Sequence, residues 1–182
     1  MAGNFSPERY DRATLCFHWL TAFIVIEQWV GAHLIDDFAK GFPRVAARSV
    51  HISFGLLLAV ILLARIVWRA TRGRRLPAAD DGFLQVIAKG THYLLYLLLV
   101  ATIPVGIFLV WVQGDSYFDL FTVPAFAGAT RVLRHNVGEI HGWLGNVILI
   151  VAGIHALAAL FHHFVMRDNV LRRMLPGSAK QR

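Results

Sequence analysis

The stretch Leu94–Val112 runs for nineteen residues without a charged side chain, and that run constrains the fold more than any other feature. Nineteen residues in a helix extend about 28 Å at 1.5 Å per residue, close to the hydrocarbon thickness of a bilayer. Trp19–Val30 and Ile52–Ala64 read similarly, although Glu27 interrupts the first. A chain of 182 residues that is 57% hydrophobic and only 16% charged is too apolar for an ordinary soluble domain. Four spanning helices are expected, near 14–35, 50–70, 90–112 and 138–165, in one all-α membrane domain covering 1–182.

The start, MAGNFSPERYDRATL, lacks the charged, apolar and small-residue regions of a cleaved signal, so helix 1 is read as retained. Cys16 is the only cysteine, which excludes an internal disulfide, and no CxxCH occurs for covalent haem attachment. The net charge of +7 points to topology and not to nucleic acid. With the N-terminus inside, one face carries Arg9, Arg12, Arg65, Arg69, Arg72, Arg74, Arg75, Lys89, Arg167, Arg172, Arg173, Lys180 and Arg182. The other carries only Lys40, Arg44, Arg48, Arg131 and Arg134. This asymmetry satisfies the positive-inside rule with both termini cytoplasmic, and the surplus also favours anionic lipid. The outer link Gln113–Val137 is the longest and reads as a partly apolar cap, and Pro104 is expected to kink helix 3.

The segment HGWLGNVILIVAGIHALAALFHH, His141–His163, places four histidines in a helix that needs none to insert. His141 and His155 are fourteen residues apart, about 21 Å along the axis and within roughly 40° of one face. Antiparallel alternation puts His51 at the depth of His141, and both His18 and His92 at the depth of His155. Two imidazoles at one depth suit a six-coordinate, low-spin b-type haem, and two such sets stack across the membrane. Gly142, Gly145 and Gly153 leave room for a flat cofactor beside helix 4. Arg65, fourteen residues after His51, lies on nearly the same face, suited either to a haem propionate or to snorkelling at the interface. A zinc-transport site would want carboxylates at the same depth, and Glu27 is the only acid well inside a span. Glu27 is expected to meet Gln28 or a water. His162 stays on the His155 stripe and lies near His92 in depth. His163 falls about 80° away and is read as facing solvent or headgroups. His33 and His135 are read as surface residues.

The set His18, His51, His141 and His155, with FHWL near the start, HGWLG opening helix 4 and the ending HHFVMRDNVLRRMLP, resembles the bacterial cytochrome b561 family over essentially the whole chain. What the resemblance implies is two noncovalent haems b, a bacterial inner-membrane location and a ubiquinone site toward the cytoplasm. By similarity His18, not His92, pairs with His155, which leaves His92 and His162 for the quinone. The likeness is nearest to the family's short free-standing members, and it implies superoxide oxidation at the outer face with electrons delivered to ubiquinone. Lys40, Arg44, Arg48, Arg131 and Arg134 would then form a cationic funnel, the four arginines being the candidate catalytic residues. The alternative is an electron-transfer subunit fed by a partner dehydrogenase or hydrogenase.

Overall fold

The computed structural model describes residues 9–78 and 82–176; Lys180 and Arg182, counted above on the inner face, lie outside the described residues. Four helices are long and apolar enough to cross a membrane: α1 (Arg12–Leu34), α2 (Phe42–Thr71), α3 (Gly82–Gln113) and α4 (Arg131–Phe161). Each of the last three starts earlier than hydropathy suggests, at 42, 82 and 131 in place of about 50, 90 and 138. Local signals mark the starts of α2 and α4. Thr130 caps α4 by accepting from Leu133 N at 3.1 Å, and Pro43 sits in the first turn of α2 where its missing N–H leaves no bond unmade. Asp11 caps α1, accepting from Thr14 N at 2.9 Å. α3 runs on through Pro104 to Gln113.

α1 packs along α2 and α3 along α4, while the two hairpins touch one another less closely. The buried side chains Ile24, Leu58, Ile61, Leu62, Leu98, Leu99 and Ile148 form one cluster. Ile148 lies midway between His141 and His155, and Leu58 midway between His51 and Arg65, so this cluster separates two levels of polar side chains. Outward-facing apolar residues such as Val60, Leu97, Ile150 and Leu157 are each more than 60% exposed, as expected where lipid is the solvent.

The two ends of the bundle are closed differently. At one end a small antiparallel hairpin, β1 (Ser116–Tyr117) with β2 (Phe121–Thr122), folds back onto α2. Phe118 N donates to the fully buried Ser49 Oγ at 2.8 Å, and Tyr117 Oη lies 2.7 Å from Ser53 Oγ. Gly114 makes the turn out of α3 at φ +69, and a Cβ there would stand 2.9 Å from Ala125 Cβ. This is the apolar cap expected from 113–137. At the other end the chain start, the α2–α3 link and the tail are stitched together. Tyr10 N donates to Arg173 O, Arg173 Nη1 to Pro77 O and Trp19 Nε1 to Met174 O, at 3.3, 2.9 and 2.7 Å. The tail includes a 3-10 turn, Leu171–Met174. Residues 9–12 and 171–176 therefore lie on the same face of the bundle.

Candidate functional site

At the level nearer the β-hairpin, α2 and α4 bring His51 and His141 together. Their ring centres are 6.2 Å apart with planes at 86°. The Nδ1 atoms of both rings are buried without a hydrogen-bond partner. Gly106 on α3 makes this approach possible, because a Cβ at that position would stand 2.8 Å from His141 Cε1. The ring separation has a chemical meaning. About 2 Å from a metal to each imidazole nitrogen, plus about 1.2 Å from each nitrogen to its ring centre, gives roughly 6.4 Å for two rings on opposite sides of one ion.

At the other level three imidazoles converge. His18 and His155 have ring centres 6.3 Å apart, the same spacing as the outer pair, whereas His92 and His155 are only 5.1 Å apart. Depth alone left His18 and His92 equivalent; the separations do not. His92 Nδ1–H donates to Ala88 O at 2.7 Å, fixing its ring against its own helix. Arg65 turns into this site, with Nη2 3.4 Å from His18 Nδ1 and its guanidinium 5.2 Å from the centre of the Tyr96 ring. It does not snorkel outward. Two imidazole pairs at the spacing of a shared ion, with no acidic donor grouped beside them among the described residues, fit b-type haem and not a hard cation. A Cβ at Gly142, Gly145 or Gly153 would meet nothing within 4 Å, which agrees with the room expected beside α4.

Beyond the His51–His141 pair, toward the hairpin, lies a cavity of about 410 Å³ lined by Arg48, Gln113, Asp115, Arg131, Arg134 and His135. A smaller one of about 140 Å³ adjoins it, sharing Arg48 and Asp115 and adding Lys40 and Arg44. All five cations expected on this side are thus gathered at one mouth, but they are not equivalent. Arg48 Nη1 pairs with the buried Asp115 at 2.8 Å. Arg44 donates to Asp36 O and Phe38 O at 2.7 and 2.9 Å, closing the end of α1. Arg131 and Arg134 make no side-chain hydrogen bond or ion pair among the described residues. Asp115 and His135 were the residues that sequence reasoning missed here. A loop aspartate sixteen residues from the nearest arginine of α4 gives no periodic signal.

At the stitched end, α4 widens into a π-helical turn over His162–Met166, closed by Arg167 in the left-handed region at φ 56. His162 Nδ1–H donates to Asp168 Oδ2 at 2.5 Å, and Val170 N donates to Asp168 Oδ1 at 2.9 Å. Burial alone would raise the Asp168 pKa, but these two hydrogen bonds and the nearby positive charges of His162 and Arg173 hold it below the usual carboxylate range. His163 lies within this turn. Counting at 100° per residue turns it toward solvent, yet its ring is half-buried, its Nδ1 is buried without a partner, and it stacks edge-on to Phe164 at 4.8 Å. An i→i+5 turn rotates less per residue, so the count fails beyond Phe161. Glu27 Oε2 and Gln28 Oε1 are each buried without a hydrogen-bond partner among the described residues. His33 is exposed as expected, its Nδ1–H bonded to Trp29 O at 2.7 Å, and His135, also exposed, faces the outer cavity.

Along nearly its whole length the chain is similar to known proteins. A family profile described as prokaryotic cytochrome b561 matches residues 9–177. The chain is 31% identical to "Cytochrome b561 homolog 2" of Escherichia coli K12, over 98% of this chain and 97% of that one. It is 30% identical to "Probable superoxide oxidase CybB" of Yersinia pestis, over 93% and 97%. It is 26% identical to "Cytochrome b562" of Cereibacter sphaeroides, over 91% and 94%. With four membrane-crossing helices, paired imidazoles and a match along nearly its whole length, the chain belongs to the prokaryotic cytochrome b561 family of b-haem membrane electron-transfer proteins.

Proposed function

We propose that this protein oxidises superoxide at the outer, periplasmic face of the bacterial inner membrane and delivers the electrons to ubiquinone near the inner face. The observation that carries the reading is the stack itself: two imidazole pairs of nearly equal spacing at two depths, with an open basic cavity beyond the His51–His141 pair. His51 and His141 would hold one haem b, His18 and His155 the other, and when bound these groups supply one-electron transfer between the two faces. Both termini are cytoplasmic in this reading, on the charge asymmetry of the links.

The protein's own residues do the rest. Arg131 and Arg134 present uncompensated positive charge to an anion, and such focusing raises encounter rates by about 10- to 1,000-fold at low salt. Arg48, neutralised by Asp115, shapes the floor of the same cavity. Each superoxide gives up one electron and leaves as dioxygen. Two electrons and two protons from the cytoplasmic side convert ubiquinone to ubiquinol, so two superoxide ions are consumed per quinone. Arg65 neutralises acidic groups of a ligand between the helices, and His92 and His162 are the groups that hydrogen-bond quinone oxygens or pass them protons.

An anaerobic titration of the purified protein with superoxide, followed through the Soret band with and without ubiquinone, tests this. Reduction of the band by superoxide, and its return to the oxidised form on adding quinone, is the expected result. A spectrum that superoxide leaves unchanged, but that a purified dehydrogenase or hydrogenase partner reduces, sinks the proposal and favours the electron-transfer subunit.

A further inference from the structure

We propose that Asp168 is a positioning residue for quinone reduction: it holds the His162 ring in one tautomer, with Nδ1–H committed to its carboxylate. Proton exchange with a quinone oxygen then runs through Nε2. The inference deepens the proposed function and rests on its assignment of His162 to the quinone.

Three features of the fold build this pair. The π turn ends at Arg167 in the left-handed region, which brings the chain back so that Asp168 N donates to His162 O at 3.2 Å. Val170 N then fixes Asp168 Oδ1, leaving Oδ2 for the imidazole at 2.5 Å. The His162 side chain is 15% exposed and that of Asp168 32%, so the ring lies inside and the carboxylate at the edge of the stitched face. A carboxylate that accepts from one ring nitrogen orients the ring and fixes which nitrogen carries the proton. Asp168 also stays ionised, because the same contacts depress its pKa.

The step balances simply. The doubly protonated His162 ring gives up its Nε2 proton as an O–H bond forms at one quinone oxygen, leaving the neutral Nδ1–H tautomer that Asp168 holds, while the two electrons come from the protein's electron-transfer activity. The second proton comes from the cytoplasmic solvent, which also returns a proton to His162. Asp168 keeps its charge throughout and is not itself a proton donor.

The test uses the haem-loaded protein, reduced with dithionite, freed of excess reductant and mixed anaerobically with a short-chain ubiquinone. Asp168→Asn is expected to keep the haem content and reduced spectrum while slowing reoxidation by about 10- to 100-fold. Its solvent deuterium isotope effect should rise, since proton delivery becomes limiting, and the Nδ1–H imidazole band in redox-difference infrared spectra should shift. Asp168→Glu, which keeps the carboxylate, should recover much of the rate and the wild-type band, and it serves if the Asn variant fails to insert. Reoxidation of Asp168→Asn at the wild-type rate, with an unchanged isotope effect and infrared band, overturns this inference and leaves the proposed function standing. Wild-type protein that ubiquinone does not reoxidise overturns the quinone reading and this inference together.

Discussion

The two ends of the bundle hold imidazole pairs of nearly equal spacing in opposite surroundings. The outer pair, His51–His141, has no third imidazole in ring contact among the described residues, and it lies below a wide mouth with two uncompensated arginines. The inner pair, His18–His155, is crowded by His92, Arg65 and Tyr96, and the face below it carries the His162–Asp168 pair. The difference matches the two kinds of chemistry in the proposed function. A site that only exchanges an electron with a small anion needs access and positive potential. A site that also delivers protons needs several groups able to hold one. At the stitched end Arg69 Nη1 donates to Arg74 O at 2.8 Å and Arg74 Nη1 to Arg9 O at 3.3 Å.

The most severe way to break the comparison is to remove ligands. His141→Ala and His155→Ala should each lower haem content from about two per chain to about one, losing opposite members of the pair, as read by pyridine haemochrome against protein. His92→Ala should retain both. A fall to about one haem in that variant would mean that the 5.1 Å contact, and not the 6.3 Å one, marks the inner pair.

Gly106→Ala comes next. The new methyl group meets the His141 ring at 2.8 Å, with an overpacking cost of about 1–3 kcal/mol. The outer haem alone should be lost or loosened, so a redox titration should show one component shifted and the other kept. Equal damage to both would argue that the two levels are not independent.

A charge change sharpens the outer end. Arg131→Ala combined with Arg134→Ala should slow superoxide-driven reduction about tenfold at low ionic strength and hardly at all near 1 M salt, where the Debye length is about 3 Å. Quinone-driven reoxidation of the prereduced protein should not change. A salt-independent defect would assign those arginines to folding.

The smallest expected effect belongs to the inner face. Asp11 accepts from Thr14, Trp68 and Arg74, joining α1 to α2. Burial works against its ionisation, but these hydrogen bonds dominate and hold its pKa well below the carboxylate norm. Asp11→Ala should cost about 1 kcal/mol at neutral pH. With the folded pKa below the unfolded value of about 3.9, the contribution is full above that value and is lost as pH falls through the folded one. The gap in Tm between the two proteins should therefore be constant from pH 6 to 8 and narrow below about pH 4.

Several features of the site were hidden from the sequence for identifiable reasons. Hydropathy marks the part of a helix that lipid covers, so it set the starts of α2, α3 and α4 about eight residues late; proline marks the start of α2 and a Thr130 cap that of α4. The Arg48–Asp115 pair joins residues far apart in the chain, so no spacing rule finds it. The half-burial of His163 is likewise not given by counting along the helix.

The sequence by itself determined the four spans, the charge asymmetry and the ladder of histidine depths, because hydrophobicity and a fixed rise per residue are properties of each helix alone. Only the tertiary structure decided which imidazole faces His155 at pairing distance, which cations remain uncompensated and where Asp168 meets His162. Those outcomes depend on how helices sit beside one another and how their ends turn. No single helix encodes them, because its period fixes the direction of a side chain relative to its own axis and says nothing of the neighbour it will meet.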